Sequence, residues 1–173
     1  MSQVRFIADL HLGHKFMAEH RGFESITAHD EHIIAQWNSV VNKRDITYIL
    51  GDVTMEKTDQ YPLLNRLNGT KKVVLGNHDK PKHVAELLKY VETVSGLEKY
   101  KGIFLSHCPV HPMEMTYRVK RNIHGHIHEK LVMYPVSLFG IKLFERVDRR
   151  YYCVSCEQVD YKPKTLAELG IKR

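Results

Sequence analysis

Short apolar runs alternate with segments of helical spacing along the first half of the chain. Three apolar runs predict buried strands, at residues 4–8, 46–50 and 71–75. Residues 27–41 carry apolar side chains at helical spacing, and shorter helical patterns cover 59–67 and 82–91. Because a helix separates each strand from the next, the pattern predicts parallel pairing with right-handed crossovers.

The second half of the chain is richer in strands. Strand-like runs follow residue 100, with the sequences GIFLSH, RNIHGH, KLVMYPV and RYYCVSC, and TLAELG near the end predicts a short helix. At the start of the longest predicted helix, Thr27 and Asp30 predict a capping box. No internal repeat, low-complexity segment or linker-like composition divides the 173 residues. We therefore expect a single domain over residues 1–173.

Composition and charge narrow the class of protein. Hydrophobic residues make up 43% of the chain and charged residues 27%, as is ordinary for a globular protein in water. No apolar run is long enough to cross a membrane, and the N-terminus lacks a signal-peptide pattern, so we expect a cytoplasmic protein without a membrane partner. The net charge of +6 either favours phosphate-bearing or polyanionic partners or reflects a solvated basic surface.

The three cysteines indicate neither a disulfide framework nor a zinc site. An odd number without a secretion signal argues against structural disulfides. Cys153 and Cys156 have C-x-x-C spacing, but only Cys108 remains to complete a set of thiolate ligands. Strand alternation in YYCVSC instead predicts two ordinary, half-buried cysteines.

Ligand-capable residues stand directly after the predicted strands. They are Asp9, His11, Asp52, Asn77, His78, Asp79, His107, His126 and His128. Singly, each has a structural explanation, since an aspartate caps turns and helices and a histidine packs in a core. Together they fall at five strand ends, and in parallel α/β sheets sites form just beyond the carboxyl ends of the strands. The pattern therefore predicts one shared site.

The residue types indicate that this site binds metal. Residues two apart in an extended segment point the same way, so we expect Asp9 and His11 to reach one ion together, and His126 and His128 both to point inward. Asp52 is a lone carboxylate whose two oxygens suit it to bridge two cations. Mixed carboxylate, imidazole and amide ligands suit Mn, Fe, Zn, Co or Ni better than Ca or Mg.

The ordered motifs resemble the signature of the calcineurin-like metallophosphoesterases. The blocks are DLHLGH, RDITYILGDV, NGTKKVVLGNHD, LSHCPVHP and NIHGHIH, followed by YKPKTLAEL. The resemblance runs over nearly the whole chain and is greatest to the small single-domain bacterial and phage members. It implies an α/β (α+β) fold, a four-layer αββα sandwich of two mixed β-sheets flanked by helices, with a dinuclear metal centre at one edge.

The resemblance also implies a role for each motif residue. The first metal would be held by Asp9, His11, Asp52 and His128. The second metal would be held by Asp52, Asn77, His107 and His126, so that Asp52 bridges the two. His78 would be a catalytic group that faces the substrate phosphate, and Asp79 would orient His78.

The implied function is metal-dependent hydrolysis of phosphoester bonds. A hydroxide bridging two divalent transition-metal ions would attack phosphorus; Mn²⁺ is favoured, with Fe, Ni, Co or Zn as alternatives. Short loops predict an open site, which favours phosphodiesters or cyclic nucleotides. Other readings are a phosphomonoesterase or nucleotide phosphatase, a nuclease acting on nucleic-acid ends, and a non-catalytic scaffold on the same fold. The basic charge permits a nucleic-acid partner, but no extended aromatic-and-basic groove indicates one.

Three further residues are candidates for substrate contact. His14 completes DLHLGH and lies either at the mouth of the site or in a plain loop. Arg21 is either a phosphate-binding arginine, a role that suits the planar guanidinium, or an ordinary surface arginine. His111, in CPVHP, either reaches the substrate or belongs to an ordinary loop. The sequence indicates no particular oligomeric state.

Overall fold

The structure, a computed structural model, describes residues 2–171. The strands are β1 Val4–Ile7, β2 Ile46–Leu50, β3 Thr70–Val74, β4 Thr93–Ser95, β5 Glu98–Tyr100, β6 Ile103–Leu105, β7 Arg121–His124, β8 Met133–Leu138, β9 Ile141–Val147, β10 Tyr151–Cys153 and β11 Lys164–Thr165. The α-helices are α1 Lys15–His20, α2 Ile26–Val40 and α3 Val84–Leu87. Segments of 3-10 helix cover Tyr61–Arg66, Pro81–His83, Pro112–Glu114 and Cys156–Gln158. Within residues 2–171, no helix has the length and apolar character needed to span a bilayer.

Two mixed sheets form the body of the fold. The first sheet has the order β11-β1-β2-β3-β4, in which β1 to β4 are mutually parallel and β11 is antiparallel. The second sheet has the order β10-β7-β6-β5, in which β5 alone of these four runs antiparallel. The predicted class, an α+β sandwich of two mixed sheets, is confirmed, as is the parallel pairing predicted for the first half.

Aromatic side chains pack the two sheets against each other. The Phe6 ring of β1 stacks on Tyr48 of β2 at a centroid distance of 5.8 Å and lies 5.7 Å from Tyr100 of β5, in the other sheet. Ile7 points to the opposite face of β1, because successive side chains alternate. Both Phe6 and Ile7 are fully buried, so both faces of β1 are covered. Trp37 of α2 belongs to the same apolar core.

The long helix α2 begins differently from the prediction. Its N-cap is Ser25, whose hydroxyl oxygen accepts a hydrogen bond from the Ala28 N–H at 3.0 Å. The predicted capping box at Thr27 and Asp30 is therefore wrong. The Asp30 side chain is buried and instead accepts from the Gly13 N–H at 3.0 Å. This contact ties α2 to the loop that follows β1.

The shorter helical predictions are the least accurate. The segment predicted at 59–67 is a 3-10 helix over Tyr61–Arg66, and the one at 82–91 divides into Pro81–His83 and the single-turn α3. TLAELG forms a turn, in which the Glu168 carboxylate accepts from the backbone and hydroxyl of Thr165 at 2.8 Å. Short helices are marginal because nucleation is costly, so local hydrogen bonds decide these segments. The structure also contains α1, β4, β5, β9 and β11, which the periodicity did not predict.

Strands β8 and β9 form a separate two-stranded antiparallel hairpin, the arm, defined as Met133–Val147. Pairing places Val136 opposite Phe144 and Leu138 opposite Ile141, on the face shared with Tyr134. Leu138, Phe144 and Ile141 are more than half exposed, and Phe139 at the tip is 95% exposed. The arm thus presents an uncovered apolar face.

We expect Phe6→Ala to destabilise the protein strongly. Phe6 is fully buried and joins the two sheets, so its removal loses transfer free energy and leaves a cavity. The free energy of unfolding, measured by urea denaturation, should fall by about 3–5 kcal/mol. Tyr117→Ala is the control, because Tyr117 is 92% exposed, and it should change stability by less than about 0.5 kcal/mol. Equal effects of the two substitutions would contradict this account of the core.

Candidate metal centre

The loops that follow β1, β2, β3, β6 and β7 meet at one edge of the two sheets. Main-chain hydrogen bonds hold them together: the Asp9 N–H donates to the Gly51 carbonyl at 3.0 Å, and the Gly125 N–H donates to the His107 carbonyl at 2.9 Å. A cleft at this edge is lined in part by His11, His14, Asn77, His78, His126 and His128. The structure therefore brings the predicted strand-end residues together.

The carboxylates and imidazoles of the cleft fall into groups with the spacing of metal ligands. Ligand atoms lie within 4.8 Å of one another in the groups Asp9–His11–His128, Asp9–Asp52–His107 and His107–Cys108–His126. The Asp52 Oδ2 atom lies 3.8 Å from His11 Nε2 and 3.4 Å from His107 Nε2. Asp52 thus stands between the group around His11 and the group around His107.

Asn77 belongs to the second of these groups. Its Oδ1 atom lies 2.8 Å from His107 Nε2 and 3.0 Å from His126 Nδ1, and the two ring nitrogens are 3.2 Å apart. Ligands at about 2.1 Å from one ion in octahedral geometry are about 3 Å from their neighbours. The three atoms therefore have the mutual spacing of ligands to one ion.

The backbone of the site is left-handed where the sequence predicted extended chain. Positive φ angles occur at Asp9 (58°), His11 (50°), Asp52 (53°), His126 (71°) and His128 (50°). Asp9 and His11 still fall in one ligand group, through turns and not through extended geometry, whereas His126 and His128 fall in different groups. Each such conformation costs on the order of 1–2 kcal/mol for a residue with a Cβ atom. Strain of this kind concentrates at functional sites, where the surrounding structure enforces it.

Two of the motif glycines are required by close approach. A Cβ atom on Gly76 would collide with the Asp52 carboxylate, and one on Gly125 would lie 2.5 Å from both the Ala8 Cβ and the Asp9 Oδ2. Only glycine lets these backbones pass so near the carboxylates.

The ring orientations leave nitrogen lone pairs for a metal. His107 Nδ1 lies 2.9 Å from the Leu50 carbonyl, to which it can only donate, so Nε2 is left as the ligand atom facing Asp52. His11 is 3% exposed, and neither of its ring nitrogens has a hydrogen-bond partner among the described residues. A buried ring without partners is costly, and a cation beside Asp52 would satisfy it. The residues present therefore fit a divalent transition metal.

Burial and charge set the protonation of these groups. Burial lowers the pKa of His11 to about 3, so the ring is neutral at pH 7. Burial alone would raise the pKa of Asp52, but the hydrogen bond and charge of His107 outweigh it and hold the pKa of Asp52 below its usual value. Burial opposes the charge on His107, yet Asp52 and Asp9 raise the pKa of His107 to about 9. An ionised Asp52 and a neutral His11 are the forms that bind metal, whereas at His107 a metal would displace the proton of Nε2.

His78 lies in the cleft outside the three ligand groups. Its backbone N–H donates to Asp52 Oδ1 at 3.0 Å, and its ring centroid is 5.9 Å from that of His11. The side chain is 26% exposed, and Nδ1 lies 3.5 Å from the Glu56 carboxylate. The ring is thus placed to reach a molecule in the cleft.

Asp79 does not orient His78, and that predicted role is wrong. The Asp79 carboxylate accepts hydrogen bonds from the backbone N–H groups of Asp52 at 2.8 Å, Val53 at 3.1 Å and Gly76 at 2.9 Å. With these three donors it faces the backbone, away from the imidazole. Asp79 instead fastens the loop after β2 to the loop after β3.

Arg21 does not face the cleft, so its predicted contact with phosphate is also wrong. Its side chain is fully buried at the end of α1. The guanidinium donates to the carbonyls of Asp9 at 2.7 Å and Leu10 at 3.1 Å, and to the Glu157 carboxylate at 2.7 Å. These acceptors engage all three nitrogens and leave none for a substrate.

The other two candidate substrate contacts differ in position. His14 lines the cleft and precedes α1 without capping it through its side chain, so contact with substrate stays a prediction. His111 is exposed, and its Nδ1 accepts from the Met113 N–H at 3.3 Å at the start of a 3-10 turn. It is not among the residues that line the cleft, so the structure does not support its predicted contact.

Sequence reasoning missed several residues around the site. The Ser155 hydroxyl donates to Asp9 Oδ2 at 2.7 Å, and the Glu157 Oε1 atom lies 3.1 Å from His128 Nδ1. Both residues follow β10, so the rule applied to the other strand ends could have identified them. Cys108, for which the sequence predicted no role at the site, lies with His107 in the third ligand group.

Comparison with known proteins gives relatives among phage and archaeal sequences. The chain is 30% identical over 163 residues to the Gene 66 protein of Mycobacterium phage D29, covering 76% of this chain and 81% of that protein. It is 30% identical over 167 residues to the Gene 66 protein of Mycobacterium phage L5, covering 77% and 81%. An uncharacterised protein of Methanocaldococcus jannaschii is 29% identical over 175 residues, covering 96% and 88%. No family model matches the chain.

Solved structures share the fold. A protein of unknown function from Aquifex aeolicus superposes with a TM-score of 0.67 at 25% identity, covering 98% of each chain. A novel archaeal phosphodiesterase superposes with a TM-score of 0.51 at 16% identity, covering 91% of this chain and 86% of that one. At that identity, the second likeness concerns the fold alone.

We expect Asp79→Ala to destabilise the fold. Removal of the carboxylate leaves three buried N–H donors without their acceptor, at a total cost of about 3 kcal/mol or more. Urea denaturation of the metal-free protein measures this loss, with the exposed Asp59→Ala as the matched control. Wild-type stability in Asp79→Ala would show that the carboxylate does not hold the loops.

Proposed function

This chain belongs to the family of the mycobacteriophage Gene 66 proteins, and we propose that it is a metal-dependent phosphoesterase of the calcineurin-like type. The observation that carries the proposal is the position of Asp52 Oδ2, 3.8 Å from His11 Nε2 and 3.4 Å from His107 Nε2. One carboxylate oxygen within reach of ligand groups on both sides is the arrangement expected of a two-metal site. The likeness of the fold to that of an archaeal phosphodiesterase supports the same reaction class.

The ligand sets that we propose follow the two sides of Asp52. The first ion would be held by Asp9, His11, Asp52 and His128, and the second by Asp52, Asn77, His107 and His126. Mn²⁺ is the metal we favour, because oxygen and imidazole ligands together suit it, and Fe, Ni, Co and Zn bind similar sets. When bound, the two ions would supply charge neutralisation at phosphate and a nucleophilic water of lowered pKa.

The protein's own residues would position the ester and its protons. The ionised Asp52 carboxylate accepts a hydrogen bond from the His78 N–H, which fixes its position between the two groups of ligands. The His78 imidazole, on the open side of the cleft, would stabilise charge on the phosphoryl oxygens or protonate the leaving oxygen. The Glu56 carboxylate lies 3.5 Å from Nδ1 of this ring.

The proposed substrates are phosphodiesters, possessing one negative charge on the scissile group. The cleft is lined by imidazoles, apolar side chains, the buried Asp52 carboxylate and the exposed Asn77, and it is open on one side, where a bulky second ester group can extend into solvent. A cyclic nucleotide and a linear diester both meet this description.

Hydrolysis of bis-p-nitrophenyl phosphate and p-nitrophenyl phosphate tests the proposal. The protein is stripped of metal and then given Mn²⁺, Ni²⁺, Co²⁺, Zn²⁺ or Mg²⁺ in turn. We expect turnover to return with a transition metal, to favour the diester, and to fall about a hundredfold or more in His78→Ala with metal content unchanged. His83→Ala, a histidine outside the cleft lining, is the matched control.

Three results would count against the proposal in different ways. Two bound ions without turnover of either ester would favour the non-catalytic scaffold. Turnover of the monoester alone would favour a phosphatase. A wild-type protein that binds no transition metal would overturn the metal centre itself.

A further inference from the structure

A buried ion pair beside the site has no role in the chemistry above. The Arg21 guanidinium contacts Glu157 Oε1 at 2.7 Å, with side-chain exposures of 0% and 10%. Burying two charges costs several kcal/mol per ion before their attraction is counted. A contribution to stability alone therefore does not explain why this ion pair is buried.

Glu157 connects this pair to a proposed metal ligand. The Oε1 atom that accepts from Arg21 also lies 3.1 Å from His128 Nδ1. Because a carboxylate only accepts, the imidazole directs its Nδ1–H to Glu157, and Nε2 is the nitrogen available to a metal.

Arg21 connects the same pair to the left-handed segment after β1. Its Nη2 and Nη1 donate to the carbonyls of Asp9 and Leu10. Its Nη1 also lies 2.8 Å from His29 Nε2, and His29 Nδ1 is 2.8 Å from the Asp30 carboxylate on α2. The guanidinium therefore joins the loops of β1 and β10 to the long helix.

We propose that Glu157 and Arg21 are positioning residues for the first metal position. Glu157 fixes the tautomer and rotation of the His128 ring, and Arg21 holds both Glu157 and the backbone that presents Asp9 and His11. This inference rests on the proposed function. The second position is independent of the pair, because the His107 ring is oriented by the Leu50 carbonyl.

Titration of the metal-free protein with Co²⁺, followed by visible absorption and calorimetry, tests this proposal. We expect wild type to bind two ions. In Glu157→Ala, affinity for one ion should fall about 10- to 100-fold while the other is unchanged. Glu157→Gln keeps an acceptor for Arg21 and should fall about tenfold, a partial rescue. Glu129→Ala, an exposed acid next to His128, is the matched control.

The outcomes separate this proposal from the proposed function. Two ions bound at wild-type affinity in both Glu157 variants would overturn the positioning role. Equal weakening of both ions would also overturn it, because the pair then acts on the whole edge. If Glu157→Ala does not fold, Glu157→Gln carries the test. A wild type that binds no Co²⁺ would instead reject the metal centre.

The arm, Met133–Val147, supports a second and independent inference. One face carries Tyr134, Val136, Leu138, Ile141 and Phe144, with Arg146 opposite Tyr134 at the base. The other face carries Met133 opposite Val147 and, nearer the tip, Glu145 and Lys142. A two-stranded hairpin is marginally stable alone in water and needs a covering surface.

The size of this surface matches a dimer contact. Exposed large apolar residues run along the arm and its base: Leu131, Met133, Tyr134, Leu138, Phe139, Ile141, Leu143, Phe144 and Val147. At about 150–200 Å² for a fully exposed side chain, their exposed fractions, summed over both faces, the tip and the base of the arm, amount to roughly 800 Å². A standard interface buries about 800 Å² on each partner, whereas monomers rarely expose more than a few hundred contiguous Å².

We infer that the arm packs against the arm of a second copy of this chain. Arms related by a two-fold axis present the same apolar side chains to each other, and Arg146 pairs at the base of the arm, away from Leu138 and Ile141 near the tip. A surface this apolar resembles an obligate interface, and the partner present whenever the chain folds is another copy. Aliphatic side chains predominate over aromatic ones, which disfavours a base-stacking surface for nucleic acid.

Multi-angle light scattering of the full chain tests the dimer. We expect twice the chain mass for wild type, the single-chain mass for Phe139→Glu/Phe144→Glu, and the dimer mass for Leu88→Glu/Leu97→Glu, which changes exposed apolar residues elsewhere. Circular dichroism confirms that each variant is folded. A monomeric wild type would overturn the inference, as would a dimer that survives the Phe139 and Phe144 changes. Wild-type monomer that binds oligonucleotide through the arm would assign the surface to nucleic acid instead.

Discussion

The main-chain junction at Ala8 is the contact on which the candidate site depends. Ala8 directly follows β1 of the first sheet and pairs with residues 154–156, which follow β10 at the edge of the other sheet. The next residue, Asp9, is thereby held against the loop after β7, where its carboxylate accepts from the His126 N–H. Asp9 and His11 come from one sheet and His128 from the other. Without the junction, the side chains of Asp9, His11 and His128 would not lie close together.

The same edge gathers several features that are unfavourable one at a time. Left-handed backbone at Asp9, His11 and Asp52, carboxylates with little exposure, and an imidazole that lacks a hydrogen-bond partner within residues 2–171 all raise the free energy of the folded state. Hydrogen bonds from neighbouring loops to Asp79 and Asp52 hold this geometry in place. A bound cation would relieve most of these costs together, which explains why they occur at one point of the fold.

The elements that could be predicted are those that a local pattern determines. Apolar runs located β1, β2 and β3 within one or two residues, and the strand-end rule found the cluster of carboxylates and imidazoles. The predictions that were wrong concern side chains whose positions depend on residues distant in the sequence. The burial of Arg21 follows from Glu157, 136 residues away, and the direction of the Asp79 carboxylate follows from backbone donors in an earlier loop. The short helices were predicted poorly because they have few local hydrogen bonds, so tertiary contacts determine the conformation of these segments.

The long sequence separation across the junction bears on how the protein is made. Asp9 meets His126 across 117 residues and Ser155 across 146. Loop closure over such distances is slow compared with local pairing, so the edge forms after the first sheet. During synthesis, β1 to β3 are complete well before His128 and Glu157 leave the ribosome. A nascent chain therefore carries its first carboxylates and imidazole uncovered until the late strands arrive, and the interval between the two becomes part of its maturation.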